Sequence, residues 1–212
     1  MRRLLLVAGA IITLAGAGAA HAATVADPVG DFLPSFVGSH DADLDVTSFG
    51  VTYNPGTTSF TLSATLAGAI NPALTGLYVI GVNTGTGVIA PFADVGAPNV
   101  IFNQVAVVQK TGATTIGANA QTATILDNTF SLLVPLSLLP STGFTPENYG
   151  WNLWPRNGLG VNTQISDFAP NNATLSAGIP EPATWAMLLA GFGALGAILR
   201  RRRTATAAAV PA

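Results

Sequence analysis

The sequence predicts an all-β chain: one antiparallel β-sandwich, jelly-roll or immunoglobulin-like, over residues 23–179, with a signal peptide before it and a transmembrane helix after it. Three observations point there. Short runs of β-branched and aromatic residues with period-2 alternation recur between Gly, Pro and Asn turn signals. No window longer than ten residues keeps a helical stripe free of Gly or Pro. Charge is scarce, 8% of the 212 residues, and six of the eight Lys and Arg lie outside the middle of the chain.

Residues 1–22 have the three parts of a secretory signal peptide. Arg2 and Arg3 make a positive start, residues 4–14 are apolar, and Ala20-His21-Ala22 offers small side chains at the −3 and −1 positions. Cleavage is expected before Ala23, by a signal peptidase at the translocon.

The mature domain, linker included, then runs over 23–179, long enough for a single core. Its bases are Lys110 and Arg156 against nine acids, a net charge of −7. One lysine in an acidic domain speaks against nucleic acid or an anionic membrane surface as partner. The absence of cysteine excludes a disulfide scaffold, a thiolate metal site and a cysteine enzyme.

Strands are expected over 44–53 and 58–66, joined by the turn Asn54-Pro55-Gly56. In the first, Leu44, Val46, Ser48 and Gly50 share one face, and Asp45, Thr47, Phe49 and Val51 the other. In the second, Phe60, Leu62, Ala64 and Leu66 face inward. Further strands are expected over 77–83, 100–109, 122–126, 130–136 and 149–153, and strand order stays open. Few lysines guard these strands, which leaves the sheet edges open to self-association.

The C-terminal part mirrors the start. Residues 183–199 carry no charge and are followed by Arg200, Arg201, Arg202 and Arg203. At 1.5 Å per residue, a helix of this length spans about 26 Å, the lower limit for a bilayer core. The arginines hold its far end in the cytoplasm, so the β-domain lies outside. Ahead of the span, Pro180-Glu181-Pro182 cannot continue a helix and is extended.

Pro180, Glu181 and Pro182, then Trp185 and Ala186, a glycine-bearing span and an arginine tract resemble the PEP-CTERM sorting signal in its PEPxxWA variety, over 180–203. The resemblance implies a Gram-negative source and an exosortase, a membrane enzyme with a cysteine nucleophile, that processes the Pro-Glu-Pro site. It implies passage through the inner membrane to the cell surface or medium, and a link to exopolysaccharide and biofilm. Residues 204–212 are expected to be a disordered tail. Leu139-Pro140-Ser141-Thr142-Gly143 matches a sortase pattern, but no span follows it closely, so it reads as a loop after a strand.

Within the domain, Asp27, Asp31, Asp41, Asp43 and Asp45 place five carboxylates in 19 residues. Calcium takes six to eight oxygen ligands, and aspartates on irregular backbone supply them. Asp41, Asp43 and Asp45 would share one side of an extended segment. The spacing is no EF-hand, since Val46 stands where Gly is needed and Thr52 where Glu is needed. Asp27-Pro28-Val29-Gly30-Asp31 and the later Asp-rich start of a strand resemble calcium-dependent β-sandwich modules of the DOMON or carbohydrate-binding type. The bland alternative is a set of solvated turn aspartates.

A glycan strip is the second candidate. Tyr149, Trp151 and Leu153 share the face a strand gives to a core, Trp154 points the opposite way and Pro155-Arg156 turns the chain, so Trp154 and Arg156 either meet a sugar or serve the structure. No catalytic residue is expected: no Gly-x-Ser-x-Gly elbow accompanies His40, and residues 81–87 lack the lysine of a phosphate loop. A hydrolase would need two convergent carboxylates within 27–45. The sequence therefore predicts a non-enzymatic exported surface or matrix protein, with a calcium-dependent carbohydrate-binding module as the alternative.

Overall fold

A computed structural model describes residues 20–178 and 189–193. Among the described residues eleven strands form two antiparallel sheets, with short 3-10 turns between them. They are β1 (His21–Ala26), β2 (Val46–Asn54), β3 (Ser59–Leu66), β4 (Leu77–Asn83), β5 (Gln104–Gln109) and β6 (Ala113–Ile116). Then follow β7 (Asn119–Thr122), β8 (Thr124–Leu126), β9 (Thr129–Pro135), β10 (Gly150–Arg156) and β11 (Leu175–Ser176). One sheet runs β1-β2-β3-β9-β8 and the other β11-β10-β4-β5-β6-β7.

The sheets share one apolar core. Phe49, Val51, Phe60, Leu62, Phe130 and Leu132 enter from the first, and Tyr78, Ile80, Val108 and Trp151 from the second. The expected inward face of β3 is the observed one. In β2 the expected alternation breaks at a bulge between Val46 and Ser48, which lets Val46, Phe49 and Val51 all reach the core.

A second apolar cluster covers the outer face of the six-stranded sheet, with Val79, Phe92, Val100, Trp154, Ile165 and Phe168. β4 and β10 are therefore buried on both faces, every residue of each. A Cβ at Gly81 would overlap the Trp154 ring, so the indole packs flat where β4 carries no side chain.

The sheet edges are less open than the lysine-poor sequence suggests. β7 and β8 are separated only by Ala123, so the chain passes from one sheet edge to the other there. On the opposite side β1 lies against β11. The expected strand over 122–126 is split by this crossing, and β1, β6 and β11 had no expected counterpart.

Strand β1 crosses the expected cleavage point: His21 and Ala22 pair with Tyr53 and Thr52 and are exposed, while Ala23 is buried. The rest of the expected signal peptide lies outside the described residues. So do Pro180, Glu181, Pro182, Trp185, Ala186, Arg200 to Arg203 and the tail. Of the expected span, residues 189–193 are helical. Among the described residues no helix is long and apolar enough to cross a membrane.

Candidate metal centre

The N-terminal arm positions the first carboxylates. After β1, the Asp27 N–H donates to the Thr47 carbonyl at 3.0 Å and keeps the chain beside β2. Gly30, at φ +82°, then turns it in a conformation that glycine adopts without strain. The Gly30 N–H donates to Asp45 Oδ2 at 2.7 Å, across the turn that separates Asp27 from Asp31. Leu33 and Val37 donate to the Ser166 and Thr163 carbonyls, laying the arm along the loop that follows β10.

That loop brings the residue the sequence did not offer. Ser166 Oγ donates to the Leu44 carbonyl at 2.7 Å, which fixes the loop against the start of β2. Asp167 then accepts from the Val46 N–H at 2.9 Å and the Phe168 N–H at 2.6 Å. One carboxylate oxygen each from Asp27, Asp31 and Asp167 lie within 4.8 Å of one another. Asp45 and Asp167 are only 3% and 1% exposed. Asn171 Nδ2 donates to Asp31 Oδ2 at 3.4 Å.

Of the five aspartates marked in the sequence, the fold brings Asp27 and Asp31 together with Asp167, ties Asp45 to the turn between them through the Gly30 N–H, and sends Asp41 and Asp43 elsewhere. The extended segment expected over 41–45 is instead a 3-10 turn at Ala42–Leu44, so the three side chains diverge. Asp41 accepts from Ser39 Oγ at 2.8 Å. Asp43 forms a buried ion pair with Lys110 at 2.8 Å. Asp167 carried no local signal: it stands 121 residues after Val46, and only the topology joins them.

The site is strongly acidic. Burial, then the charges of Asp167 and Asp31, pushes the Asp27 carboxyl up to about 8. Burial also lifts Asp167 to about 7, against the opposing Val46 N–H. Asp45 is raised by burial, opposed by the Gly30 N–H. No base offsets this charge: the Lys110–Asp43 pair is the one salt bridge among the described residues.

A carboxyl raised in the folded state favours the protonated fold. Its contribution to stability is present below the unfolded value near 4 and is lost as pH rises through 7 and 8. In EDTA the protein is therefore expected to lose stability steadily between roughly pH 5 and 8. Urea midpoints across that range check this, and a flat or rising profile would refute it.

The expected glycan contacts are corrected by their burial. Trp154 is 2% exposed and packs against Phe92, Phe102 and Phe168 at ring distances of 5.1, 5.0 and 6.2 Å. The Arg156 guanidinium donates to the carbonyls of Gly158, Gly160 and Val161, and burial lowers its pKa. Both residues hold the loop after β10 in place. Sequence pattern placed Trp154 opposite Trp151 correctly, but that opposite face is covered by the second apolar cluster.

An open cavity of about 320 Å³ lies nearby, lined by Ser39, Asp41, Leu44, Leu74, Thr75 and Asn157. His40 stacks on Phe32 at 4.4 Å.

The sorting signal rests on a separate finding. The PEP-CTERM protein-sorting motif matches residues 178–203, two residues wider at its start than the sequence reading placed it. No curated protein and no solved structure matches the chain. The match begins two residues after β11 ends, so the motif follows the β-domain without a long linker. The chain carries a PEP-CTERM sorting signal, which marks it as an exported protein sorted by an exosortase.

Proposed function

We propose that this exported chain is a non-enzymatic structural component of the cell surface or extracellular matrix, associated with exopolysaccharide. The observation that carries the reading is the sorting motif that begins two residues after β11. Asp43 and Lys110 neutralise each other inside the fold, and Arg156 is spent on backbone carbonyls. The one serine hydroxyl in the open cavity donates a hydrogen bond to Asp41, while His40 stacks on phenylalanine rings. Asp27 and Asp31, the convergent carboxylates a hydrolase would need, stand with Asp167 and are read as ligands for a cation rather than as an acid and base. The sorting motif immediately after β11 supplies the address.

Fractionation of the producing cells with intact-mass analysis tests this. A product that starts at Ala23, ends near Pro180 to Pro182 and partitions with the surface or matrix supports it. A product confined to the inner membrane that retains residues 183–203, or hydrolysis of a polysaccharide panel by the purified protein, would overturn it. The carbohydrate-binding alternative keeps a cation-ready site but has lost its sugar platform, because Trp154 and Arg156 are buried.

A further inference from the structure

We propose that Asp27, Asp31, Asp45 and Asp167 form a calcium site that staples the N-terminal arm and the loop after β10 to the start of β2.

The first support is convergence. Four carboxylates arrive from four separate places: the end of β1, the turn after it, the residue before β2, and a loop more than a hundred residues downstream. Random surface acids spread apart under mutual repulsion, whereas these are drawn inward. Asp45 and Asp167 are almost completely buried.

The second support is independent of the acidity. Three carboxylate oxygens, Asp27 Oδ2, Asp31 Oδ1 and Asp45 Oδ1, are buried without any hydrogen-bond partner. Buried polar atoms are nearly always satisfied, and an anionic oxygen left bare is among the costliest exceptions. Their partners on the other side are well made: Gly30 holds Asp45 Oδ2, and Val46 and Phe168 hold Asp167. Asp45 is thus held by a backbone N–H on one oxygen and bare on the other, while both oxygens of Asp167 accept backbone N–H groups and one oxygen each of Asp27 and Asp31 is bare. A cation held among Asp27, Asp31 and Asp167, with Asp45 beside them, would offset this uncompensated negative charge.

The donor set identifies the cation. Every donor is a carboxylate oxygen, which suits a hard ion rather than zinc or copper. Oxygens on opposite sides of a calcium ion with 2.3–2.6 Å bonds stand roughly 5 Å apart. The carboxylate oxygens of Asp27, Asp31 and Asp167 lie within 4.8 Å of one another, inside that span. Carboxylates on irregular backbone suit the flexible shell of calcium better than the strict octahedron of magnesium. Extracellular modules that bind at about 0.1–1 mM are loaded outside a cell and empty inside it. A chain addressed for export would acquire this staple after crossing the membrane.

The test uses the exported protein as recovered from its source, in EDTA, calcium or magnesium. Calcium at about a hundredfold above its dissociation constant is expected to raise the melting midpoint by roughly 5–10 °C, with magnesium giving less. Calorimetric titration with calcium chloride should show one site. Asp45→Asn is expected to weaken calcium binding at least tenfold while its midpoint in EDTA stays level or rises, because one of the unpaired like charges is gone. Asp127→Asn, far from the cluster in the turn between β8 and β9, should retain the full response. If Asp45→Asn does not fold, Asp31→Asn at the half-buried rim reads the same loss. No heat and no midpoint shift up to about 10 mM calcium, or a full response in both cluster variants, would overturn the assignment.

Discussion

Lys110→Met is expected to destabilise the protein by about 3–5 kcal/mol, because it leaves a buried carboxylate without its counterion. Lys110 and Asp43 are 4% and 3% exposed, and the ammonium touches both carboxylate oxygens, at 2.9 and 2.8 Å. The ammonium also donates to the Thr75 carbonyl at 3.1 Å, and Asp43 accepts from the Asn71 N–H at 2.9 Å. The pair therefore fixes the 3-10 turn before β2 to the end of β5 and to the loop before β4. Removing the charge from one side alone strands the other. Replacing both at once, as Asp43→Leu with Lys110→Met, should recover most of the loss, since the desolvation of two ions disappears with them. Recovery should stop short of wild type because the Asn71 N–H and the Thr75 carbonyl lose their partners. Urea melts of the two single variants and the double variant measure the coupling directly. A single-variant loss under about 1 kcal/mol would mean the pair is solvated, as surface pairs are.

The same residues show how far the sequence could be read. Alternation located β3 and β4 to within a residue, because each has a simple period or an unbroken apolar run. Asp27, Asp31 and Asp45 could be marked as a group because they crowd a short stretch. Asp43 could not be separated from them: its partner Lys110 is 67 positions away, and no local pattern joins the two. Asp167 was invisible for the same reason. Burial of Trp154 was hidden differently. Its strand alternates as expected, but a period-2 pattern cannot tell a solvated face from one covered by a loop, and here residues of the loops after β4 and β10 cover it. β1 was missed because a signal-peptide exit and the first strand overlap at His21 and Ala22.

Trp154→Ala is expected to cost about 3–5 kcal/mol, the range for deleting a buried aromatic side chain. The indole is the centre of the second apolar cluster, in contact with Phe92, Phe102 and Phe168 and seated over Gly81. Its removal opens a cavity between β4 and the covering loops, while the core between the sheets keeps its own contacts. Loss should therefore begin locally, as faster proteolysis of the loops at 84–103 and 157–168, ahead of global unfolding. Trp154→Phe should cost far less: it keeps an aromatic ring and deletes an indole N–H that has no partner in the fold. Phe168 adjoins Asp167, whose carboxylate is held by the Phe168 N–H. Loosening the cluster thus disturbs the metal centre, and Trp154→Ala should blunt the calcium response although it removes no ligand. A Trp154→Ala protein of unchanged stability that failed only to bind sugar would instead place the indole at a surface and contradict the packing described here.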